Sequence, residues 1–189
     1  MSSIAVKGAD TGTGVFTIES PATNTDRTLT LPDEAGEIVT SAKYEQGGAF
    51  RAYLGSSQTL VNGVIAKLNI NTKDFDELNE FDSTTNYRYQ PTIAGYYLIG
   101  GSFGVTNMDA EGAIVSYIAK NSSLHSQLGQ QYSNNTSTAD PATNGSALLY
   151  LNGTTDYVDM WGLVQDSTTP TIDIDPDETY FWGYLVRKA

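Results

Sequence analysis

The chain of 189 residues carries 22 acidic against 10 basic side chains, a net charge of -12, and no cysteine. Such a balance repels phosphate backbones and anionic lipid, arguing against nucleic acid as a partner. Without thiols the fold rests on neither disulfides nor thiolate metal sites, and the length suits one well-buried domain with a short appendage.

The N-terminal MSSIAVKGADTGTG lacks the charged, apolar and small-residue succession of a secretion signal. No stretch approaches the roughly eighteen apolar residues of a membrane span. The expectation is a soluble protein that does not insert into membranes and that leaves a cell, if at all, by another route.

Apolar residues fall in short runs of period two, separated by clusters of Gly, Asn, Asp, Pro and Ser, which reads as all-β. In the first 43 residues, strands are expected at 15–19 and 27–31, with Phe16, Ile18, Leu29 and Leu31 as apolar residues. A lone hairpin of this kind is marginal in water. Residues 1–43 are therefore read as an attachment and trimerisation arm that needs partners, another copy first among them. The segment TSAKYEQGG then interrupts the pattern, and residues 44–189 are read as the head.

Within the head, strands are expected at 49–54, 64–69, 86–90, 95–103, 112–120, 146–151, 156–165, 170–174 and 179–186. Their number and spacing suit a sandwich or jelly roll. The polar segment from Asn121 to Asn144 is expected as a long surface loop and as the recognising tip.

Signatures of catalysis are thin. The one histidine, His125, lies in that polar segment, and the glycine-rich GADTGTG and GGSFG precede no helix and lack a phosphate-binding lysine. Asp156 and Asp159 would serve a polysaccharide depolymerase only as paired carboxylates, yet on one strand they face opposite sides. Asp173, Asp175 and Asp177 alternate in DIDPDE, which on a strand would align three carboxylates for a hard cation such as Ca2+; a solvated turn is the other reading, and no other cofactor is indicated. Aromatic rings stack on sugars, so Tyr132, Tyr157 and Trp161, with Asn134 and Asn135 in the polar segment, are the candidate glycan ligands. Core or subunit contact is the competing role for Tyr157 and Trp161.

The stretch FDSTTNYRYQPTIAGYYLIGGSF holds an aromatic-Asp pair (Phe81, Asp82), a polar turn, a central aromatic (Tyr89), a proline (Pro91) and Gly-x-Tyr (Gly95, Tyr97) before an alternating strand. It resembles the signature of the complement C1q-like, tumour-necrosis-factor-like jelly roll. The turn is one residue longer, and Ile99 and Gly101 stand where aromatics are usual. The segments AFRAYLGSS, SALLYLNGTTDYVDMW and TYFWGYLVRKA are similar to the first, late and closing strands of that fold.

Tyr87, Tyr89 and Tyr97 share a parity and are expected on one face, as core or trimer axis; Phe81 and Tyr96 are candidates to face a neighbouring subunit. The arm, with VFTIESP, RTLTLPDEAG and EIVT, resembles a segment at the start of bacteriophage fibre and virion-surface proteins. That resemblance implies a homotrimer displayed on the virion surface, joined through its arm to other virion proteins of the tail or capsid. Its expected role is that of a short fibre meeting host-surface glycan, with a capsid decoration or head-fibre protein as the nearest alternative.

Overall fold

The computed structural model describes residues 11, 13–15, 17, 22–26, 28, 47–109, 111–133, 140–166 and 171–189. The chain divides into two units, Met1–Ile38 and Val39–Ala189. Phe16, Ile18, Leu29 and Leu31 of the expected arm strands, and Asn134 and Asn135, lie outside the described residues.

The second unit is all-β among the described residues. Its strands are β1 Ala49–Tyr53, β2 Ala66–Lys67, β3 Thr72–Asp76, β4 Phe81–Asp82, β5 Arg88–Tyr89, β6 Gly95–Thr106, β7 Ala113–Lys120, β8 Ser123–Tyr132, β9 Ala142–Leu151, β10 Val158–Gln165, β11 Thr171–Ile172 and β12 Tyr180–Lys188. They form two antiparallel sheets. The first runs β9-β6-β12-β1-β3, with β11 pairing the end of β6; the second runs β4-β5-β10-β7-β8, with β2 beside β10.

Alternation explains why these residues pair as they do. In β6 the odd positions Tyr97, Ile99 and Phe103 are fully buried between the sheets, facing Met160 of β10 and Ile114 and Ile118 of β7 in one core. The aromatic stretch sits at the centre of that core. The Phe50 ring lies parallel to Tyr89 at 4.2 Å between centroids and to Phe81 at 5.2 Å, and meets Phe181 edge-on at 5.1 Å. Tyr97 meets Tyr89 edge-on at 5.9 Å. Each such pair contributes about 0.5–1.5 kcal/mol beyond its area burial. The phenol groups stay satisfied: Tyr89 donates to Glu80 Oε2 at 2.9 Å and Tyr97 to the Ile93 carbonyl at 2.8 Å. Burial pushes the Tyr97 hydroxyl up to about 12.

Phe81, expected as core or subunit contact, is a core residue buried within the chain. Tyr87 departs from the expected aromatic face. Its φ of 47° places it in the turn before β5, half-buried and outside the core, because the longer polar turn must reverse direction there. That turn is clasped by Asp82, whose carboxylate accepts the N–H groups of Thr84, Thr85 and Asn86. These bonds hold its pKa far below the usual carboxylate range.

The largest correction concerns the expected loop from Asn121 to Asn144. Ser123–Tyr132 is a strand, and β9 begins at Ala142. Asn121 and Ser122 have φ of 53° and 64°, and Lys120 pairs with Ser123, so a two-residue turn of the primed type closes a hairpin. β8 is polar because it is an edge strand, paired among the described residues with β7 alone. Two glycines let its exit end approach β9. A Cβ at Gly129 would sit 2.1 Å from Thr143 Oγ1, and one at Gly145 would sit 2.4 Å from the Leu128 carbonyl oxygen. β3 was not anticipated, its sequence TKDFD being too charged to read as a strand. The strand expected at 64–69 shrinks to Ala66–Lys67.

Between the sheets, Gly162, Ser116 and Gly129 form one cross-strand row. The lack of a side chain at Gly162 leaves room for Phe103, whose ring would lie 3.0 Å from a Cβ there. The Ser116 hydroxyl is buried without a hydrogen-bond partner among the described residues. Ser116→Ala is therefore expected to raise stability by about 1 kcal/mol in urea unfolding, since a desolvated, unpaired hydroxyl is removed. A destabilised Ser116→Ala variant would show that the hydroxyl has a partner.

Asp156 is likewise held below the ordinary range, first by Lys120, then by Asn121 and the Asn152 N–H. For both Asp82 and Asp156 the folded pKa lies below the unfolded one. Their stabilisation is thus complete above the unfolded value near 3.9 and is lost as pH falls below it. The melting temperature is expected to drop below about pH 4, and the drop to be smaller in Asp82→Asn. Equal acid sensitivity of the two proteins in a calorimetric pH series would overturn this account.

Candidate functional site

The strands β6, β9 and β12 carry apolar residues on both faces. Odd positions of β6 enter the core, while Tyr96 and Leu98 point the other way. The register aligns Tyr96 with Tyr150, Leu98 with Leu148 on one side and Tyr184 on the other, and Gly100 with Trp182. Together they give the outward face of the first sheet an aromatic and aliphatic patch. Exposure is high for such side chains: Leu148 59%, Tyr184 43%, Tyr150 41% and Tyr96 37%.

This patch has defined relief. The Trp182 indole lies across Gly100, where a Cβ would be 2.6 Å from the ring. Beside it a hollow of about 220 Å³ is lined by Gly101, Asn144, Gly145, Ser146, Tyr180 and Trp182. Tyr96 and Tyr150 meet edge-on at 5.7 Å, and Trp182 and Tyr184 are near parallel at 6.3 Å. Arg187 lies over Tyr96 at 4.9 Å and Arg51 over Tyr180 at 4.8 Å. Isolated exposed apolar residues are ordinary, but a contiguous set on one sheet marks an interaction surface. Of these residues, only Tyr96 was singled out by parity. The available signal for the rest was apolar residues on both parities of three strands, the pattern of a sheet covered on both sides.

The sequence-predicted ligands are distributed differently from the expected loop tip. Tyr132 closes β8 and is 67% exposed. Trp161 lies mid-strand in β10, half-buried, with its indole N–H donating to Asp159 Oδ1 at 2.8 Å. Tyr157 sits before β10 at the hairpin end of the sheet, its hydroxyl 2.8 Å from Ser122 Oγ and its ring 4.1 Å beneath the Arg88 guanidinium. Trp161 and Tyr132 share the outward face of the second sheet; Tyr157 is engaged by Arg88 at that sheet's end. His125, expected in a loop, is on β8 with Nδ1 2.8 Å from Ser126 Oγ.

The carboxylates are arranged otherwise than a strand-borne cation site or a catalytic pair requires. The strand expected at 170–174 ends at Ile172, so Asp173, Asp175 and Asp177 do not share a strand face. They build a turn instead: Asp173 Oδ1 accepts the Asp175 N–H at 2.8 Å, and Asp175 Oδ1 accepts the Asp177 N–H at 3.0 Å. Among the described residues no group of three His, Cys, Asp or Glu is placed to hold a metal ion. Asp159 is fully buried and paired with Lys67 at 2.5 Å, and Asp156 is paired with Lys120 at 2.8 Å. A general acid needs a raised pKa, whereas that of Asp156 is lowered.

A larger crevice, of about 590 Å³, lies between the turns around Glu80, Asp82, Arg88 and Gly153. Its charged groups are committed to one another and to the backbone. Glu80 accepts from Thr92 and Tyr89, Lys73 donates to Asp76 and Asn79, and Arg88 donates to Gln90. These bonds fix the turns that flank the aromatic core.

No protein-family model matches the chain, and no curated protein does. Among solved structures, the Eiger TNF of S. frugiperda is similar at 11% identity and a TM-score of 0.53, over 76% of this chain and 94% of that one. Murine APRIL at pH 5.0 is similar at 6% identity and a TM-score of 0.53, over 75% of this chain and 100% of that one. A second structure of murine APRIL, at pH 8.0, gives 8% identity and a TM-score of 0.51 over the same shares. At such identities the likeness speaks for architecture, and with the two antiparallel sheets it shows an all-β, tumour-necrosis-factor-like jelly roll.

Proposed function

We propose that the protein is a non-enzymatic structural component of a bacteriophage particle. In this reading it is a homotrimeric short fibre whose arm, residues 1–43, attaches it to other virion proteins and whose head is displayed on the virion surface to meet host-surface glycan. The observation that carries the proposal is the apolar outward face of β9, β6 and β12, with Leu148, Tyr150 and Tyr184 open to water. A second copy of the same chain is its natural cover, because a closed symmetric assembly buries the same patch on every subunit. The arm pattern VFTIESP, RTLTLPDEAG and EIVT supports the particle setting. Asp156 and Asp159, each paired with a lysine, are not arranged as the two carboxylates of a sugar hydrolase.

Light scattering on the purified chain at micromolar concentration is expected to give three chain masses. Leu148→Glu, which places a charge on an exposed position of the patch, is expected to shift that mass to one chain with little change in circular dichroism. A monomeric parent, or a Leu148→Glu trimer, would count against assembly through this face.

Deleting residues 1–43 is expected to spare the head's fold and abolish incorporation into particles, read by quantitative blotting of purified virions. Unchanged incorporation would remove the arm's anchoring role, and antibody labelling of intact particles would place the head on tail or capsid.

A further inference from the structure

The second sheet presents its own outward face, and its register brings together residues that sequence order scatters. Cross-strand rows run Lys67, Trp161, Tyr117 and Gln127; then Leu163, Val115 and Gln130; then Gln165, Ala113 and Tyr132. Register shifts in β8 after Leu124 and after Gln127 break simple alternation. They are what set Leu124, Gln127, Gln130 and Tyr132 on a common side.

The floor is low and the walls are tall. Ala113 and Val115 are nearly buried although they point outward, sunk between Tyr117, Leu163, Gln130 and Tyr132. Gln127 and Gln130 are exposed, and Gln130 Nε2 donates to Tyr132 Oη at 2.5 Å. The Trp161 ring is fixed by the bond from its N–H to Asp159. The one ion pair along these rows, Lys67 with Asp159, is internally neutralised.

We propose that this face, centred on Trp161, Tyr117, Gln127 and Gln130, binds a neutral glycan, its sugar rings stacked on the aromatics and its hydroxyls bonded by the two carboxamides. The inference rests on the reading above that the head meets host-surface glycan, and it moves the contact from a loop tip to a sheet face. Three features single out this occupant. Trp161 and Tyr117, half-buried neighbours across the β10–β7 pair, offer apolar ring surface to the C–H faces of a sugar. Each carboxamide both donates and accepts, matching hydroxyls that do the same. A surface without uncompensated charge, on a chain of net charge -12, gives an acidic polymer no cation to pair with. The face is also free in an assembly closed through the first sheet, since it lies on the other side of the sandwich.

The test is titration of the full chain with maltohexaose, cellohexaose, a mannose hexasaccharide and an N-acetylglucosamine tetrasaccharide, followed by isothermal calorimetry and tryptophan fluorescence. Polygalacturonate is the acidic comparison. Saturable binding of at least one neutral probe is expected. Affinity should fall about fivefold in Gln130→Ala and in Gln127→Ala, the loss of one hydrogen bond each. It should fall further in Trp161→Ala and be largely kept in Trp161→Phe. The glutamine variants are surface changes that leave the fold in place, so they decide the matter if Trp161→Ala unfolds.

Failure of every neutral probe, preference for polygalacturonate, or binding unaffected in the glutamine variants would each overturn the proposal. Light scattering on the same samples separates the two readings. A trimer that binds no neutral sugar sinks only the glycan face, whereas a monomer that binds one sinks only the assembly.

Discussion

Everything in the head depends on the ring of Phe50 being held between the sheets. It belongs to β1 of the first sheet, yet it lies parallel to Tyr89 and Phe81, which belong to the second. Close-packed rings transmit position as well as energy, so the stack fixes how the sheets face each other. The polar turns around it serve that placement. Asp76 accepts the Glu80 and Phe81 N–H groups, Glu80 accepts the Tyr89 hydroxyl, and Asp82 closes the turn between β4 and β5. The carboxylates here act as fasteners of an apolar core.

A second constraint follows from the first sheet having apolar residues on both sides. A sandwich needs only one buried face per sheet, and the other is ordinarily polar. β6, β9 and β12 break that rule at Tyr96, Leu98, Leu148, Tyr150, Trp182 and Tyr184. Burial inside one chain does not require these residues. Their presence is the physical reason for reading the head as a subunit.

The architecture was legible because its signal was redundant. The Pro91-to-Gly95 turn, the alternation in β6 and the aromatic pairings all pointed to a jelly roll, and the central strands fell within a few residues of expectation. What escaped had opposing local signals. β8 reads SLHSQLGQQY, and its register shifts hide the period of two by moving its outward residues to 124, 127, 130 and 132. β3 is charged because it is an edge strand. Tyr87 satisfied the parity count but not the backbone, since parity holds only while the chain stays extended. The aspartates of DIDPDE failed for the same reason, their alternation falling on a turn. Residues sharing an outward face belong to strands far apart in sequence, so only register could assemble them.

Charge explains how two such faces coexist on one acidic protein. Arg51, Lys67, Lys73 and Lys120 are each paired with an aspartate, and Arg88 and Arg187 lie over tyrosine rings. With these cations committed internally, the acidic surplus among the described residues lies mainly in turns and loops, as at Glu111, Asp175 and Asp177, where repulsion opposes indiscriminate association. The broad sheet faces carry almost none of it. The contact proposed at the first face would then be governed by apolar burial and shape, and that proposed at the second by stacking and neutral hydrogen bonds. The same pairing of cations that holds the fold together leaves both faces without an uncompensated charge, which is the condition both proposed contacts require.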